Sequence, residues 1–295
     1  MSKWTAADIS DQSGRTFIIT GANSGLGLET ARRLAEHGAH VIMTARDPDK
    51  GRAAAASLPG SVEVRPLDLA DLESVARFAA TVEHADVLVN NAGVMMTPHR
   101  TTAQGFELQL GTNHLGHFAL TALLYPVLRA GSAPRIVTVS STLHRQGRID
   151  FDDLEAARSY SPTRAYSQSK FANVLFGLEL DRRLRAASSP AISVLAHPGY
   201  TATNLQTSGP TGLIALGGRI GNLLVAQHVT KGALDQLYAA TATGVQGGEF
   251  YGPDGRGENR GHPKLVKPAL SATNPDTARR LWEVSEKLTG VSFAF

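Results

Sequence analysis

The feature that most constrains the fold is the segment RTFIITGANSGLGLETARRLAEHG, which begins at Arg15. A short apolar run, Arg15–Thr20, leads into three closely spaced glycines, Gly21, Gly25 and Gly27, and an amphipathic helical pattern follows at once. This order predicts a buried strand, a tight turn and a helix. It is typical of a chain that is built from βαβ units.

The same alternation of apolar runs and helical patterns continues as far as Ala196. Because near-continuous apolar strands between helices are typical of parallel sheets, we predict an α/β fold. We expect a single Rossmann-type domain over residues 1–295, with a doubly wound, mostly parallel sheet and helices on both faces. The predicted strands are Arg15–Thr20, His40–Ala45, Val62–Leu67, Asp86–Asn90, Arg135–Ser140 and Ala191–Ala196.

The composition excludes several classes of function. The chain has no cysteine, which excludes thiol catalysis, disulfides and cysteine-zinc sites. The net charge is only +3 and the basic residues are spread along the chain, so we expect no nucleic-acid partner. The spacing of the histidines fits no ligand set, so we expect no metal; the four considered are His114, His117, His144 and His197.

The N-terminal segment MSKWTAADISDQSGR lacks the apolar core of a signal peptide. No apolar run approaches the roughly 18 residues that a membrane-spanning helix needs. We therefore expect a soluble, cytoplasmic protein without a transmembrane segment.

The glycine-rich turn predicts an anion-binding site. Bare backbone allows a pyrophosphate to approach the N–H groups and the positive end of the helix dipole. The glycine spacing is G-x3-G-x-G and differs from the common G-x-G-x-x-G fingerprint. A tight turn without a ligand is the alternative interpretation.

The end of the second predicted strand bears on which dinucleotide is bound. Many dinucleotide-binding folds place an acidic residue there, where it binds the ribose 2′-hydroxyl. In this chain Ala45 occupies that place and Arg46 follows it. A guanidinium suits a 2′-phosphate, so we predict NADP(H). NAD(H) is the alternative, with Arg46 a solvated charge and Asp47 on the ribose.

Six motifs, in this order, resemble those of the short-chain dehydrogenase/reductase family. They are TGANSGLG, NNAG (Asn90–Gly93), TNHLGHF (Thr112–Phe118), VSS (Val139–Ser141), YSQSK (Tyr166–Lys170) and HPGYTATNL (His197–Leu205). The chain resembles in particular the group of retinol dehydrogenases, WW-domain oxidoreductases and protochlorophyllide reductases. That resemblance rests on YSQSKFANVLFGLEL, on the long spacing between Ser141 and Tyr166, and on the tail DTARRLWEVSEKLTG.

The resemblance implies an oxidoreductase that moves a hydride between a nicotinamide and a carbonyl or alcohol. Tyr166 would be the general acid/base, and Lys170 would bind the nicotinamide ribose and lower the tyrosine pKa. Ser141 would hydrogen-bond the substrate oxygen, and Asn113 would hold a water in a proton relay. The implied cofactor contacts are Gly21, Asn23, Ser24, Gly25, Leu26 and Gly27 at the pyrophosphate, Asp68 and Leu69 at the adenine, Asn90, Ala92 and Gly93 along the adenosine and ribose, and Pro198, Gly199, Thr201 and Thr203 over the nicotinamide.

The spacing of Tyr166 and Lys170 is consistent with these roles, since residues four apart share one helix face. An ammonium at ~4–6 Å favours a phenolate and can lower its pKa by about 1–3 units. A surface helix pair is the alternative for a lone Tyr-x-x-x-Lys. Ser140 and Ser141 are adjacent, so alternation along a strand directs them to opposite faces; the family pattern favours Ser141.

Three segments bear on the substrate. Residues 143–164 should form a loop beside the site, and residues 253–295 a loop followed by a helix that starts at Asn274–Pro275. The segment 204–232 is rich in Gly and aliphatic residues and predicts a lid over an apolar substrate, with an ordinary buried helix-loop or a membrane or partner surface as alternatives. Met95 and Met96 line the nicotinamide or substrate side, or pack in the core.

Other functions and assemblies stay open at this point. An NADP(H)-binding sensor or scaffold without turnover is one alternative, and an epimerase or dehydratase on the same fold is another. The helix predicted from about Arg164 to Ala187 is compatible with a homo-oligomer, or with packing on the sheet alone.

Overall fold

The computed structural model describes residues 3–201 and 227–295. Its strands are β1 (Thr16–Ile19), β2 (His40–Ala45), β3 (Ser61–Pro66), β4 (Val87–Asn90), β5 (Arg135–Val139), β6 (Ile192–Ala196), β7 (Phe250–Pro253) and β8 (Pro263–Leu265). They form one sheet in the order β3-β2-β1-β4-β5-β6-β7-β8. Neighbours are parallel except β7 and β8, which are antiparallel. The predicted Rossmann-type, mostly parallel sheet is confirmed.

The six strands predicted from the sequence all form, with each end within one residue of its predicted position. The sequence did not predict β7 and β8. Both are short and contain proline, and β8 is the edge strand, where its lysine and leucine are exposed. Such strands lack the apolar run that marks a buried strand, so only pairing with β6 and β7 defines them.

The helices are α1 (Gly25–Glu36), α2 (Pro48–Ala55), α3 (Leu72–Ala79), α4 (Leu108–Leu110), α5 (Gly116–Leu128), α6 (Pro162–Ala186), α7 (Val229–Gly232), α8 (Leu234–Thr241) and α9 (Pro275–Thr289). A π-helical turn, Gly111–Leu115, joins α4 to α5. Over residues 3–201 and 227–295, no helix is both long and apolar enough to cross a membrane. The cytoplasmic location stays a prediction.

Side-chain alternation in the sheet builds a core on each of its faces. Phe17 and Ile19 of β1 pack in the layer of α1 and α8, whereas Ile18 packs in the layer of α3, α5 and α6. This confirms the doubly wound arrangement. The strand order reverses between β1 and β4, and the carboxyl ends of these two strands therefore flank a crevice in which such folds bind ligands.

The C-terminal helix α9 covers the outer side of α5 and α6. Asn274 caps it by accepting bonds from the N–H groups of Asp276 and Thr277, at 2.9 and 3.0 Å. The ring of Trp282 lies 5.1 Å from that of Phe118 in α5 and 5.9 Å from that of Phe176 in α6. The chain thus buries by itself much of the α6 surface from which the sequence suggested a dimer. A homo-oligomer stays an untested prediction.

Candidate active site

An open cleft with a volume of about 220 Å³ lies at the carboxyl ends of β1, β4, β5 and β6. Most of its lining was predicted from the sequence. The residues that sequence reasoning missed are Asn91, Val139 and Ser140. Those it named are Gly21, Asn23, Ser24, Gly25, Leu26, Gly27, Ala92, Gly93, Tyr166, Lys170 and Pro198.

The glycines of the turn leave space that side chains would fill. Gly21 has a φ of 63°, and a Cβ added there would lie 2.9 Å from the Cβ of Ala92. A Cβ added at Gly27 would lie 2.6 Å from the carbonyl oxygen of Gly21. Ser24, the N-cap of α1, makes no side-chain capping bond within the described chain. The turn and the helix N-terminus therefore fit a dinucleotide pyrophosphate.

Thr20 and His117 hold the floor of the cleft. The Oγ1 atom of Thr20 accepts bonds from the N–H groups of Asn91 and Ala92, both at 2.9 Å, and lies 2.9 Å from Nε2 of His117. Nδ1 of His117 donates to the carbonyl oxygen of Asn113 at 3.0 Å. Because a carbonyl can only accept, the ring hydrogen is on Nδ1, and the threonine hydroxyl donates to Nε2.

Burial lowers the pKa of His117 to about 3, so the ring is neutral at physiological pH. Sequence reasoning missed the role of Thr20 and considered His117 only as a metal ligand, which the histidine spacing did not favour. The available signal was its place four residues after Asn113, on the same helix face.

Asn113 lies in the π-helical turn and its side chain is fully buried. Its Oδ1 accepts from the N–H of Val94 at 2.8 Å, and its Nδ2 donates to the Val94 carbonyl at 2.9 Å. Nδ2 also donates to the hydroxyl of Ser169 at 2.9 Å. The side chain thus ties the loop after β4 to α6. The water relay expected of Asn113 stays a prediction.

Tyr166 and Lys170 are both buried in α6, on the side that faces the cleft. Burial raises the pKa of Tyr166 to about 12, although a hydrogen bond with Ser141 lowers it. Burial lowers the pKa of Lys170 to about 8. The sequence led us to expect a lowered tyrosine pKa. Among the groups of the protein itself the shift has the opposite sign, because desolvation penalises a buried phenolate.

The two adjacent serines after β5 have different partners. The hydroxyl of Ser140 is buried and donates to the carbonyl oxygen of Lys170 at 2.8 Å. Ser141 is half-buried; its hydroxyl accepts from the N–H of Leu143 at 3.3 Å, and its proximity to the phenol of Tyr166 lowers the pKa of that phenol. The structure therefore brings Ser141 to the tyrosine.

Arg46 and Asp47 follow β2 and have different surroundings. Arg46 is exposed and makes no hydrogen bond or ion pair with any described residue. Asp47 caps α2 and accepts from the N–H groups of Asp49 and Lys50, at 3.1 and 3.2 Å. The carboxylate of Asp47 is therefore engaged by its own helix, whereas the guanidinium of Arg46 is accessible.

Three further residues expected at the adenosine lie beyond the residues that line the cleft. Oδ1 of Asp68 accepts from the N–H of Ala70 at 2.9 Å. Nδ2 of Asn90 donates to the hydroxyl of Thr121 at 3.0 Å, and its Oδ1 is buried without a partner in the described chain. Leu69 is buried beside α5. Their roles at a cofactor stay predictions.

The turn after β6 is fixed from the C-terminal side of the chain. Gly199 has a φ of 61°, and a Cβ added there would lie 2.4 Å from the carbonyl oxygen of Asn259. The hydroxyl of Thr201 and the amide of Gln227 both donate to the Pro198 carbonyl, at 2.7 and 2.8 Å. Thr203 lies outside the described residues, as does the predicted lid apart from residues 227–232.

The segment between Ser141 and Tyr166 docks beside the site. Its Glu155 carboxylate accepts from the N–H of Glu107 at 2.6 Å. The hydroxyl of Tyr160 donates to the Thr97 carbonyl at 2.8 Å and accepts from Nε2 of Gln109 at 2.9 Å. This loop therefore braces residues 94–110, which include the half-buried Met95 and Met96.

The described residues contain no group of three or more His, Cys, Asp or Glu that could hold a metal. The histidines considered from the sequence instead bond other protein groups. His114 bonds the hydroxyl of Ser285 at 2.8 Å, and His197 bonds the carboxylate of Glu258 at 3.0 Å.

Comparison with known proteins places these features in context. Residues 15–212 match the family model for short chain dehydrogenase. The chain is 41% identical over 293 residues to retinol dehydrogenase 13 of Homo sapiens, covering 94% of this chain and 85% of that protein. It resembles an uncharacterized protein from Mycobacterium Paratuberculosis with a TM-score of 0.86 and 49% identity, over 100% of both chains.

A third comparison concerns the cofactor. The chain is 27% identical, with a TM-score of 0.60, to an NAD(P) dependent gluconate 5-dehydrogenase from Beutenbergia cavernae whose structure contains NADP at low occupancy. The match covers 78% of this chain and 90% of that one.

Proposed function

The chain belongs to the short-chain dehydrogenase/reductase family and is an oxidoreductase with a nicotinamide cofactor. From this premise we propose that it moves a hydride between NADP(H) and an apolar carbonyl or alcohol, with Tyr166 as general acid/base. The observation that carries the proposal is the position of Tyr166 and Lys170, which are buried on one side of α6 and line the glycine-rich cleft.

Tyr166 is suited to donate a proton. Because burial raises its pKa to about 12, the phenol is protonated at physiological pH. In the direction of reduction it gives this proton to the substrate oxygen, and the Ser141 hydroxyl bonds the same oxygen and holds it in line. In the direction of oxidation Tyr166 must first be the phenolate, which the positive charge of a bound oxidised nicotinamide would favour, and it then accepts the alcohol proton. The nicotinamide, when bound, supplies or accepts the hydride and, when oxidised, adds a positive charge.

Lys170 contributes a positive charge and a hydrogen-bond donor. Its pKa of about 8 leaves it mostly protonated at neutral pH. Its Nζ lies close to Gly93, since a Cβ added there would be 3.6 Å away. We assign it to the ribose of the nicotinamide, with Asn113 and His117 holding the backbone around it.

The preference for NADP(H) rests on Arg46. It stands exposed at the end of β2 with no described ion-pair partner, whereas Asp47 is engaged in capping α2. A guanidinium in that place favours a 2′-phosphate over a free ribose.

The proposal of an apolar substrate is supported by two observations. The half-buried Met95 and Met96 lie in the segment after the cleft residue Gly93, and adaptable thioether side chains are typical of apolar ligand sites. The relatives at about 40% identity are named retinol dehydrogenases, and retinol is a long apolar alcohol.

The test measures oxidation of NADPH and of NADH with aldehydes and ketones of increasing apolar length. We expect turnover with NADPH and a KM that falls as the apolar chain grows. Tyr166→Phe should lower kcat by at least about 10²-fold and leave NADPH binding intact. Tyr238→Phe, whose ring packs on Trp4, is the matched control.

Two results would contradict the proposal. Turnover that survives in Tyr166→Phe would remove the tyrosine from the chemistry. NADPH binding without turnover for any carbonyl or alcohol would favour a sensor or scaffold instead.

A further inference from the structure

A buried histidine supports the peptide that carries Ser141. His144 lies in the short 3-10 helix Thr142–Gln146, which Ser141 caps, and its side chain is fully buried. Its Nδ1 lies 2.6 Å from the carbonyl oxygen of Ser141. Its Nε2 accepts from the backbone N–H of Ala269 at 3.1 Å. The ring thus links Ser141 to a residue near the C-terminal end of the chain.

The two bonds define the state of the ring. A carbonyl oxygen can only accept and a backbone N–H can only donate, so Nδ1 carries the hydrogen and Nε2 has none. The two bonds exist together only in the neutral ring, because a protonated Nε2 cannot accept from Ala269. Burial, with a contribution from the neighbouring Arg145 and His197, lowers the pKa of His144 to about 4, whereas the hydrogen bond to Ser141 and the carboxylate of Glu258 act in the opposite direction. The neutral tautomer is therefore the form present at physiological pH.

The residues around His144 are also held in place by contacts with the C-terminal part of the chain. Arg145, the next residue, donates to the carboxylate of Glu258 at 3.0 Å and to the carbonyl of Lys267 at 3.0 Å. The His144 ring also lies 5.4 Å from the ring of Phe250 in β7. The turn that follows Ser141 is thus held against the sheet and the C-terminal segment at several points.

We propose that His144 is a positioning residue: it fixes the Ser141 peptide against the C-terminal segment at Ala269, and so keeps the Ser141 hydroxyl in place beside the phenol of Tyr166. It contacts no reacting atom. The carbonyl of Ser141 also accepts from the backbone N–H of His144 at 3.0 Å, so the ring bond is the second of two that fix this peptide. This inference rests on the proposed function, in which Ser141 bonds the substrate oxygen.

Two substitutions of His144 each retain one of the two hydrogen bonds of the ring and remove the other. In His144→Asn the side-chain amide can reach the place of Nδ1 and still donate to Ser141. In His144→Gln the amide reaches the place of Nε2, so it can meet Ala269 while the bond to Ser141 is lost. The half-buried His40, at the amino end of β2, provides the control His40→Gln.

The kinetic test compares kcat, KM and the Kd of NADPH for these variants. We expect His144→Gln to lower kcat by about 10- to 100-fold, because misplacing a catalytic group by about 1 Å costs up to that much. NADPH binding should not change, His144→Asn should retain most of the activity, and His40→Gln should match the wild type. A folded His144→Gln protein with wild-type kcat would overturn the proposal, as would equal losses in His144→Asn and His144→Gln.

A second measurement does not depend on turnover. The ¹³Cζ chemical shift of Tyr166, which is sensitive to the polar groups around its phenol, should change in His144→Gln in the same direction as in Ser141→Ala. It should not change in His40→Gln. If the wild type turns over no substrate but these shifts behave as stated, the proposed function fails while the positioning role stands. An unchanged shift in His144→Gln overturns the positioning role whatever the turnover.

Discussion

The Nζ atom of Lys170 lies 5.9 Å from the centre of the Tyr166 ring and donates its hydrogen bond at 3.1 Å to the carbonyl oxygen of Val139. The ammonium is therefore beside the phenol while its hydrogen bond goes to the end of β5. Both groups are buried, and burial moves their pKa values in the directions that disfavour charge. The buried charge therefore destabilises the folded protein, and a substitution that removes the charge should stabilise it.

Lys170→Met should therefore stabilise the fold while it removes activity. The lysine pKa is about 8 in the folded protein and 10.5 in the unfolded chain, so at pH 7 the buried charge lowers the free energy of unfolding. After allowing for the lost hydrogen bond, we expect a gain of about 2 kcal/mol at pH 7. The gain should shrink as the pH rises from about 8 toward 10.5, where the unfolded lysine also loses its proton.

Chemical denaturation at several pH values measures this gain. Lys50→Met, at an exposed lysine in α2, is the control. A Lys170→Met protein that is less stable than the wild type across the whole pH range would show that the buried charge is not a cost to folding.

Arg46→Ala should change the choice of cofactor. If the guanidinium binds a 2′-phosphate, its loss should raise the KM for NADPH by about 10- to 100-fold, the equivalent of one or two hydrogen bonds to a charged group. The KM for NADH should change little. Steady-state kinetics with both cofactors tests this, with Arg52→Ala in the exposed part of α2 as the control. Equal effects on both cofactors would contradict the assignment.

Trp282→Ala should loosen α9. The indole is 2% exposed and contacts the rings of Phe118, Phe176 and Phe293, while Arg183 lies over it at 4.4 Å. Removing a buried aromatic side chain of this kind costs about 3–5 kcal/mol. Denaturant titration measures the loss, and the neighbouring exposed residue provides the control Glu283→Ala. A loss below about 1 kcal/mol would mean that α9 contributes little to the core.

Acid should destabilise the protein through its buried histidines. Burial lowers the pKa of His114 to about 3, well below its unfolded value of 6.5. A group of this kind is neutral in the folded protein and charged in the unfolded chain over that interval. The free energy of unfolding should therefore fall as the pH falls from about 6.5 toward 3.

His114→Gln isolates this contribution, because it removes one titrating group and retains a polar side chain near Ser285. Below pH 6.5, the slope of the unfolding free energy against pH should decrease by an amount that corresponds to the uptake of up to one proton on unfolding. His40→Gln, at a half-buried site at the amino end of β2, is the control. An identical slope in His114→Gln would show that this histidine does not bind its proton on unfolding.

The sequence by itself determined the local elements that carry the site. The apolar runs of β1 to β6, the glycines from Gly21 to Gly27 and the spacing of Tyr166 and Lys170 are all local patterns. They follow from the period of strands and helices and from the backbone freedom that a tight turn requires. The sheet, the cleft and the shared helix face could therefore be predicted before any contact was known.

Tertiary structure alone decided how these elements meet. Strands β7 and β8 exist because β6 offers them a partner, and α9 lies on α5 and α6 through aromatic contacts between residues far apart in the chain. The sign of the Tyr166 pKa shift depends on burial, which the helix spacing does not contain. The hydrogen bonds of His144 connect Ser141 with Ala269, and no periodic pattern in the sequence predicts that these two residues lie close together. Desolvation and hydrogen-bond partners are properties of the packed chain, and only the packed chain fixes them.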